Sequence, residues 1–123
     1  LIVYGDDGLD EISISSTTSV CEIDGDEIKG YTINPEELGL TLAKKEDIVG
    51  GTADENAIIT KDILTGKEQG AKRDIVLLNA GAALYTIRKA ETIKDGVKLA
   101  AEMIDSGKAN EKLEQFIAYT NVK

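Results

Sequence analysis

The chain has 123 residues, 41% hydrophobic and 30% charged, which suits one globular core and argues against disorder. Lys and Arg number 14 against 23 Asp and Glu, and the resulting net charge of −9 disfavours nucleic-acid backbones and anionic membrane surfaces as partners. There is no histidine and one cysteine, Cys21, which excludes Ser-His-Asp and Cys-His catalysis, His-ligated zinc and an intrachain disulfide.

Residues 1–4, Leu1-Ile2-Val3-Tyr4, read as a short buried strand ending at Gly5. A chain that opens on Leu in strand-like sequence reads as a piece cut from a longer protein. Four carboxylates follow within six residues: Asp6, Asp7, Asp10 and Glu11. Such neighbours repel unless they are solvated or share a cation. Magnesium, which takes oxygen ligands and bridges to substrate phosphates, suits an adjacent acidic pair. The alternating ligands and distal Glu of an EF-hand are missing, so calcium is not favoured. Asp10 and Glu11 are the candidate metal ligands; a solvated acidic turn is the alternative. The hydroxyls of Ser15, Ser16, Thr17 and Thr18 follow close by, in a type of sequence common on edge strands.

Residues 12–33 read as a β-hairpin. Its first arm is β-branched, Asp24-Gly25 supplies the tight turn, and Gly30 marks a bulge in the return strand. Cys21 reads as a small core residue of this hairpin. Asn34-Pro35-Glu36-Glu37 starts a short helix that ends near Gly39. Residues 44–51 form a loop with one helical turn. Thr52-Ala53-Asp54-Glu55 is a capping box opening a helix that stops at Gly66. The preceding Gly50-Gly51 resembles a phosphate loop only weakly, since no Gly-Lys-Ser/Thr follows. Residues 73–90 carry apolar side chains on more than one face and predict the central buried helix. Within it Arg73, beside Asp74, reads as structural, and Asn79 needs a hydrogen-bond partner. Thr92 caps a further helix to about Asp105, and a last helix ends near Thr120.

Several segments together resemble one family. They are Gly5-Asp6-Asp7-Gly8-Leu9-Asp10-Glu11-Ile12, Thr17-Thr18-Ser19-Val20, the run from Gly30 through Asn34-Pro35 to Leu40, Glu55-Asn56-Ala57, and the run from Arg73 to Leu84. In order and spacing they are similar to the C-terminal end of anthranilate phosphoribosyltransferase. The resemblance implies an α/β fold like that of the class II pyrimidine nucleoside phosphorylases. Residues 1–123 would be the C-terminal segment of the glycosyltransferase domain, part of a mixed, mostly parallel sheet with flanking helices. The helical N-terminal region would be absent. It implies a cytoplasmic, magnesium-dependent transferase of tryptophan biosynthesis that moves phosphoribose from phosphoribosyl diphosphate (PRPP) to anthranilate. Asp10 would hold one Mg2+ and Glu11 would bridge two. The Gly-rich PRPP loop, the anthranilate-binding residues and the homodimer interface would all lie outside this chain, which is therefore expected to be inactive alone. A non-catalytic nucleic-acid-binding domain of the same fold fits poorly with a charge of −9, and the Asp-Gly-Leu-Asp-Glu spelling favours the transferase over a nucleoside phosphorylase fragment. A first strand without neighbours is further expected to promote self-association.

Overall fold

The computed structural model describes residues 1–121. Three strands come first: β1 (Ile2–Gly5), β2 (Thr18–Asp24) and β3 (Glu27–Ile33). Two short 3₁₀ turns, Pro35–Leu38 and Lys45–Ile48, lead into α1 (Ala53–Leu64), α2 (Ala71–Thr86), α3 (Ile93–Asp105) and α4 (Lys108–Thr120). This is the expected order of a short strand, a hairpin and then helices in an α/β fold. No described helix is long and apolar enough to cross a membrane.

The described sheet has the order β1-β2-β3 and is antiparallel throughout. The first strand is therefore not partnerless: Ile2 to Gly5 lie opposite Cys21 to Thr18. The β3 pairing runs unbroken from Thr18↔Ile33 to Asp24↔Glu27, with Gly30 in register opposite Cys21, so there is no bulge. Only Gly25 of the two turn residues has positive φ, at 60°. That pattern belongs to a type II′ turn, whose twist matches that of the arms. The hairpin is also shorter than the sequence suggests. Residues 12–17 are irregular, although Ile12, Ser13 and Ile14 are buried.

Strand alternation divides the sheet into two faces. Val3, Val20 and Tyr31 share the inner face, with Thr18 and Ile33 beside them. Against it α2 and α3 pack Leu77, Leu78, Ala82, Val97, Ala100 and Ile104 to form the core. The outer face carries Ile2, Tyr4, Ile23 and Ile28, all more than half exposed. The expectation of a buried β1 thus holds for one face only. Cys21 is half-buried on that outer face rather than in the core.

α2 is the central helix, as its composition suggests. It crosses α3 with backbones in close approach: a Cβ on Gly96 would lie 2.1 Å from the Gly81 carbonyl oxygen. Only glycine permits that crossing. The helix stops at Thr86, short of the expected Ala90. Arg88 adopts φ 58° and the Lys89 N–H turns back to the Leu84 carbonyl at 2.9 Å, which closes the last turn. Arg73, at the other end, is buried and pairs at 2.8 Å with Asp105 of α3 rather than with its neighbour Asp74.

Candidate functional site

The acidic loop begins where β1 ends. A Cβ on Gly5 would meet the Asp7 carboxylate at 2.9 Å and the Leu9 side chain at 3.0 Å, so glycine is what lets the loop fold back over the strand. The return is fastened by Gly5 N–H to the Leu9 carbonyl (2.8 Å), Gly8 N–H to the Gly5 carbonyl (2.8 Å) and Asp6 N–H to the Thr17 carbonyl (2.9 Å).

The four carboxylates fall into two pairs. Asp7 accepts from the hydroxyls of Ser15 (2.5 Å) and Ser13 (2.9 Å), and Lys45 donates to its main-chain carbonyl. Burial opposes ionisation of Asp7. The two serine hydroxyls, the Leu9 N–H and the Lys45 charge outweigh it and hold the carboxyl below its usual range. Asp6 accepts from Thr17 (2.5 Å) and Ser19 (2.9 Å), and these hydroxyls lower its pKa as well. The donors Ser13, Ser15 and Thr17 come from the irregular segment before β2, and Ser19 from β2 itself, so it is the fold of that segment over the loop that brings them together.

Asp10 and Glu11 differ. Both are exposed, and among the described residues neither carboxylate accepts a hydrogen bond or joins a salt bridge. Their main chain is nevertheless anchored on both sides. Upstream, the Leu9 carbonyl is bonded to Gly5. Downstream, Asn79 of α2 accepts the Ile12 N–H at 3.0 Å and donates to the Ile12 carbonyl at 2.9 Å. The next residues are fixed too: Ser13 N–H donates to the Thr18 hydroxyl (2.9 Å), and the Ile14 carbonyl accepts from Ala43 N–H (3.1 Å). The partner expected for Asn79 is thus the backbone beside the acidic pair.

These two residues suit a hard cation. They offer unoccupied carboxylate oxygens on an anchored turn, and magnesium takes one or two carboxylates with waters and substrate phosphates completing the shell. No group of three or more acidic, Cys or His side chains is clustered for a metal among the described residues, so the remaining ligands would have to come from elsewhere.

The other sequence candidates do not form a ligand site. The Gly51 N–H is taken by Asn56 Oδ1 (2.8 Å) and the Thr52 N–H by Glu55 Oε2 (2.7 Å). A carboxylate of the helix's own first turn therefore stands where an anion would bind, and the Gly50-Gly51 segment is a turn into α1. Arg73, itself buried, is committed to the exposed Asp105 at the end of α3. A polar cluster that sequence reasoning missed ties the sheet to α2: Glu22 accepts from Tyr85 (2.7 Å) and Tyr31 (2.8 Å). The two phenols, Tyr85 foremost, lower the Glu22 pKa.

Comparison with known proteins places this geometry. The sequence model of the glycosyl transferase family, a/b domain, matches residues 1–110. The anthranilate phosphoribosyltransferase of Methanobrevibacter smithii is 56% identical over 98% of this chain and 36% of its own length. That of Desulfosudis oleivorans is 52% identical over 97% of this chain and 35% of its own. The crystal structure of anthranilate phosphoribosyltransferase from Thermus thermophilus superposes with a TM-score of 0.88 at 38% identity, covering 98% of this chain and 35% of that one. The Saccharomyces cerevisiae enzyme in complex with PRPP and Mg superposes with a TM-score of 0.85 at 31% identity, over 94% and 33%. The chain therefore spans about a third of the length of the relatives it matches.

Proposed function

The chain belongs to the glycosyl transferase family, a/b domain, and on that premise we propose that it is the metal-holding C-terminal segment of a magnesium-dependent anthranilate phosphoribosyltransferase. The reaction would move phosphoribose from PRPP to the amine of anthranilate, in the cytoplasm, as a step of tryptophan synthesis. The reading is supported by the names of the relatives and by solved neighbours in complex with PRPP and Mg and with 4-fluoroanthranilate. The observation that carries it is the pair Asp10 and Glu11: exposed, anchored by its backbone, and without a protein partner among the described residues.

In this reading Asp10 and Glu11 would be the residues of this chain that hold the Mg2+, with Asp10 serving one ion and Glu11 shared between two. The bound metal would neutralise charge on the departing diphosphate. The protein's own contribution is to keep the two carboxylates accessible on an anchored backbone. Asp6 and Asp7 add negative charge to the loop while holding its hydroxyls, Asp6 through both oxygens and Asp7 twice through Oδ2. The PRPP loop, the anthranilate pocket and the homodimer contacts would be supplied outside these residues, so the segment alone would not turn over.

The test is Asp10→Asn with Glu11→Gln in the full-length enzyme. Magnesium-dependent consumption of anthranilate, followed by its fluorescence on adding PRPP, should fall by at least the order of 10²–10³-fold expected when groups stabilising transition-state charge are removed. Near-normal turnover of the double variant at low magnesium would overturn the proposal.

A further inference from the structure

Asn79 lies 67 positions from Ile12 in sequence and engages both of its main-chain polar groups. The side-chain orientation is determined. Oδ1 accepts the Ile12 N–H at 3.0 Å, while Nδ2 donates to the Ile12 carbonyl at 2.9 Å and to the Ile75 carbonyl at 3.0 Å. A flipped amide would set its NH2 against an N–H and its oxygen against two carbonyls. The asparagine thus does for Ile12 what a neighbouring strand would do, from a rigid helix at the centre of the molecule. The Ile12 side chain is only 2% exposed, so that residue is fixed through its backbone and its side chain together. Glu11 is the residue immediately before it.

We propose that Asn79 is a positioning residue for the acidic pair: by fixing the backbone from which Glu11 projects, it sets how tightly the site holds a divalent cation together with a diphosphate. The inference rests on reading Asp10 and Glu11 as the metal ligands. Magnesium demands near-octahedral geometry at short distances and tolerates little wandering of its ligands. A turn already held in place loses less conformational freedom on binding than a free one. Asn79 touches neither the metal nor a substrate in this account; its effect passes through the peptide unit joining Glu11 to Ile12.

The experiment measures Mn2+ binding to the full-length enzyme in the presence of inorganic diphosphate, from the paramagnetic resonance of free Mn2+. Asn79→Leu keeps the approximate side-chain size and removes all three hydrogen bonds. It should weaken binding by about 10–100-fold, the range typical of residues that orient a metal ligand. Asn79→Ala removes the same bonds without filling space and is held to the same range where leucine is not accommodated. Leu78→Ala, in the preceding position of α2 and wholly buried, provides a destabilised control that keeps all three Asn79 hydrogen bonds, so its affinity should stay within about twofold. Affinities of the Asn79 variants within twofold of the parent, or an equal loss in Leu78→Ala, would overturn the inference. Reciprocity supplies a readout without any substitution: Mn2+ with diphosphate should slow amide exchange at Ile12 in the unmodified enzyme, and unchanged exchange there would also overturn it. The two proposals fail separately. If Asp10→Asn with Glu11→Gln keeps full Mn2+ affinity, the metal reading falls. If that double variant loses affinity while Asn79→Leu does not, only the role of Asn79 falls.

Discussion

Two pairs of carboxylates share one short loop, and the protein treats them in opposite ways. Asp6 and Asp7 face a row of hydroxyls at Ser13, Ser15, Thr17 and Ser19, which fold the loop around them. Asp10 and Glu11 face solvent, and only their backbone is held. The first pair is structural because its carboxylates hold the loop's hydroxyls. The second has binding capacity because its carboxylates hold no described group. Acidic composition alone does not separate these roles; the placement of donors does.

Substitutions should separate the pairs, and the largest effect belongs to the outer one. Asp10→Asn with Glu11→Gln should remove turnover, as described above, while the denaturation midpoint stays near the parent's because no described hydrogen bond is lost. A midpoint falling as far as the activity would show that the pair is structural and would erase the contrast.

Next in size is Asp7→Ala. It strips the acceptor from Ser13, which is wholly buried, and from Ser15. Charge-assisted hydrogen bonds of this kind suggest a loss of about 1–3 kcal/mol in urea denaturation. Ser13→Ala combined with Asp7→Ala should cost less than the two separate losses added together, since they remove one shared interaction. Strict additivity would count against the hydroxyl–carboxylate network.

Acid sharpens the same comparison. Asp7 has a lower pKa in the folded protein than the 3.8 of an unperturbed carboxyl, so the unfolded chain takes up its proton first. The stability it confers is present above pH 3.8 and is lost as pH falls through the lowered folded value. Replacing Asp7 by Asn should therefore make stability less steeply dependent on pH below about 4. An unchanged slope would mean that the serine hydroxyls do not hold the ionised form.

The smallest effect should come from Asp6→Asn. Its hydroxyl contacts lie at the surface, where water replaces lost hydrogen bonds readily. Its thermal midpoint should move by no more than about 2 °C, well short of the shift for Asp7→Ala. A larger shift would place Asp6 with Asp7 as a main anchor of the loop.

Much of this architecture was legible locally. The Thr52 capping box, the Asn34-Pro35 start, the Gly25 turn and the long apolar run that became α2 each depend on residues within a few positions of one another. So did the selection of Asp10 and Glu11, which required only an acidic pair after a strand and a resemblance carried by short motifs. Pairing is what local sequence does not display. Nothing near β1 announces a partner and Gly30 has the look of a bulge, yet both lie in an unbroken ladder. Asp74 is adjacent to Arg73, but the partner of Arg73 is Asp105, 32 positions away.

The sequence by itself determined the element order, the helix caps, the family resemblance and the supply of carboxylates. Periodicity, turn chemistry and charge are properties of neighbouring residues, and a linear chain displays them. Only the tertiary structure decided which acids are satisfied and which remain free. That choice depends on α2 crossing α3 at Gly81 and Gly96, and on α2 presenting Asn79 to Ile12 across 67 residues. A hydrogen bond forms only when donor and acceptor come within about 3 Å of each other, and at such sequence separations the fold, not the local chain, brings them together.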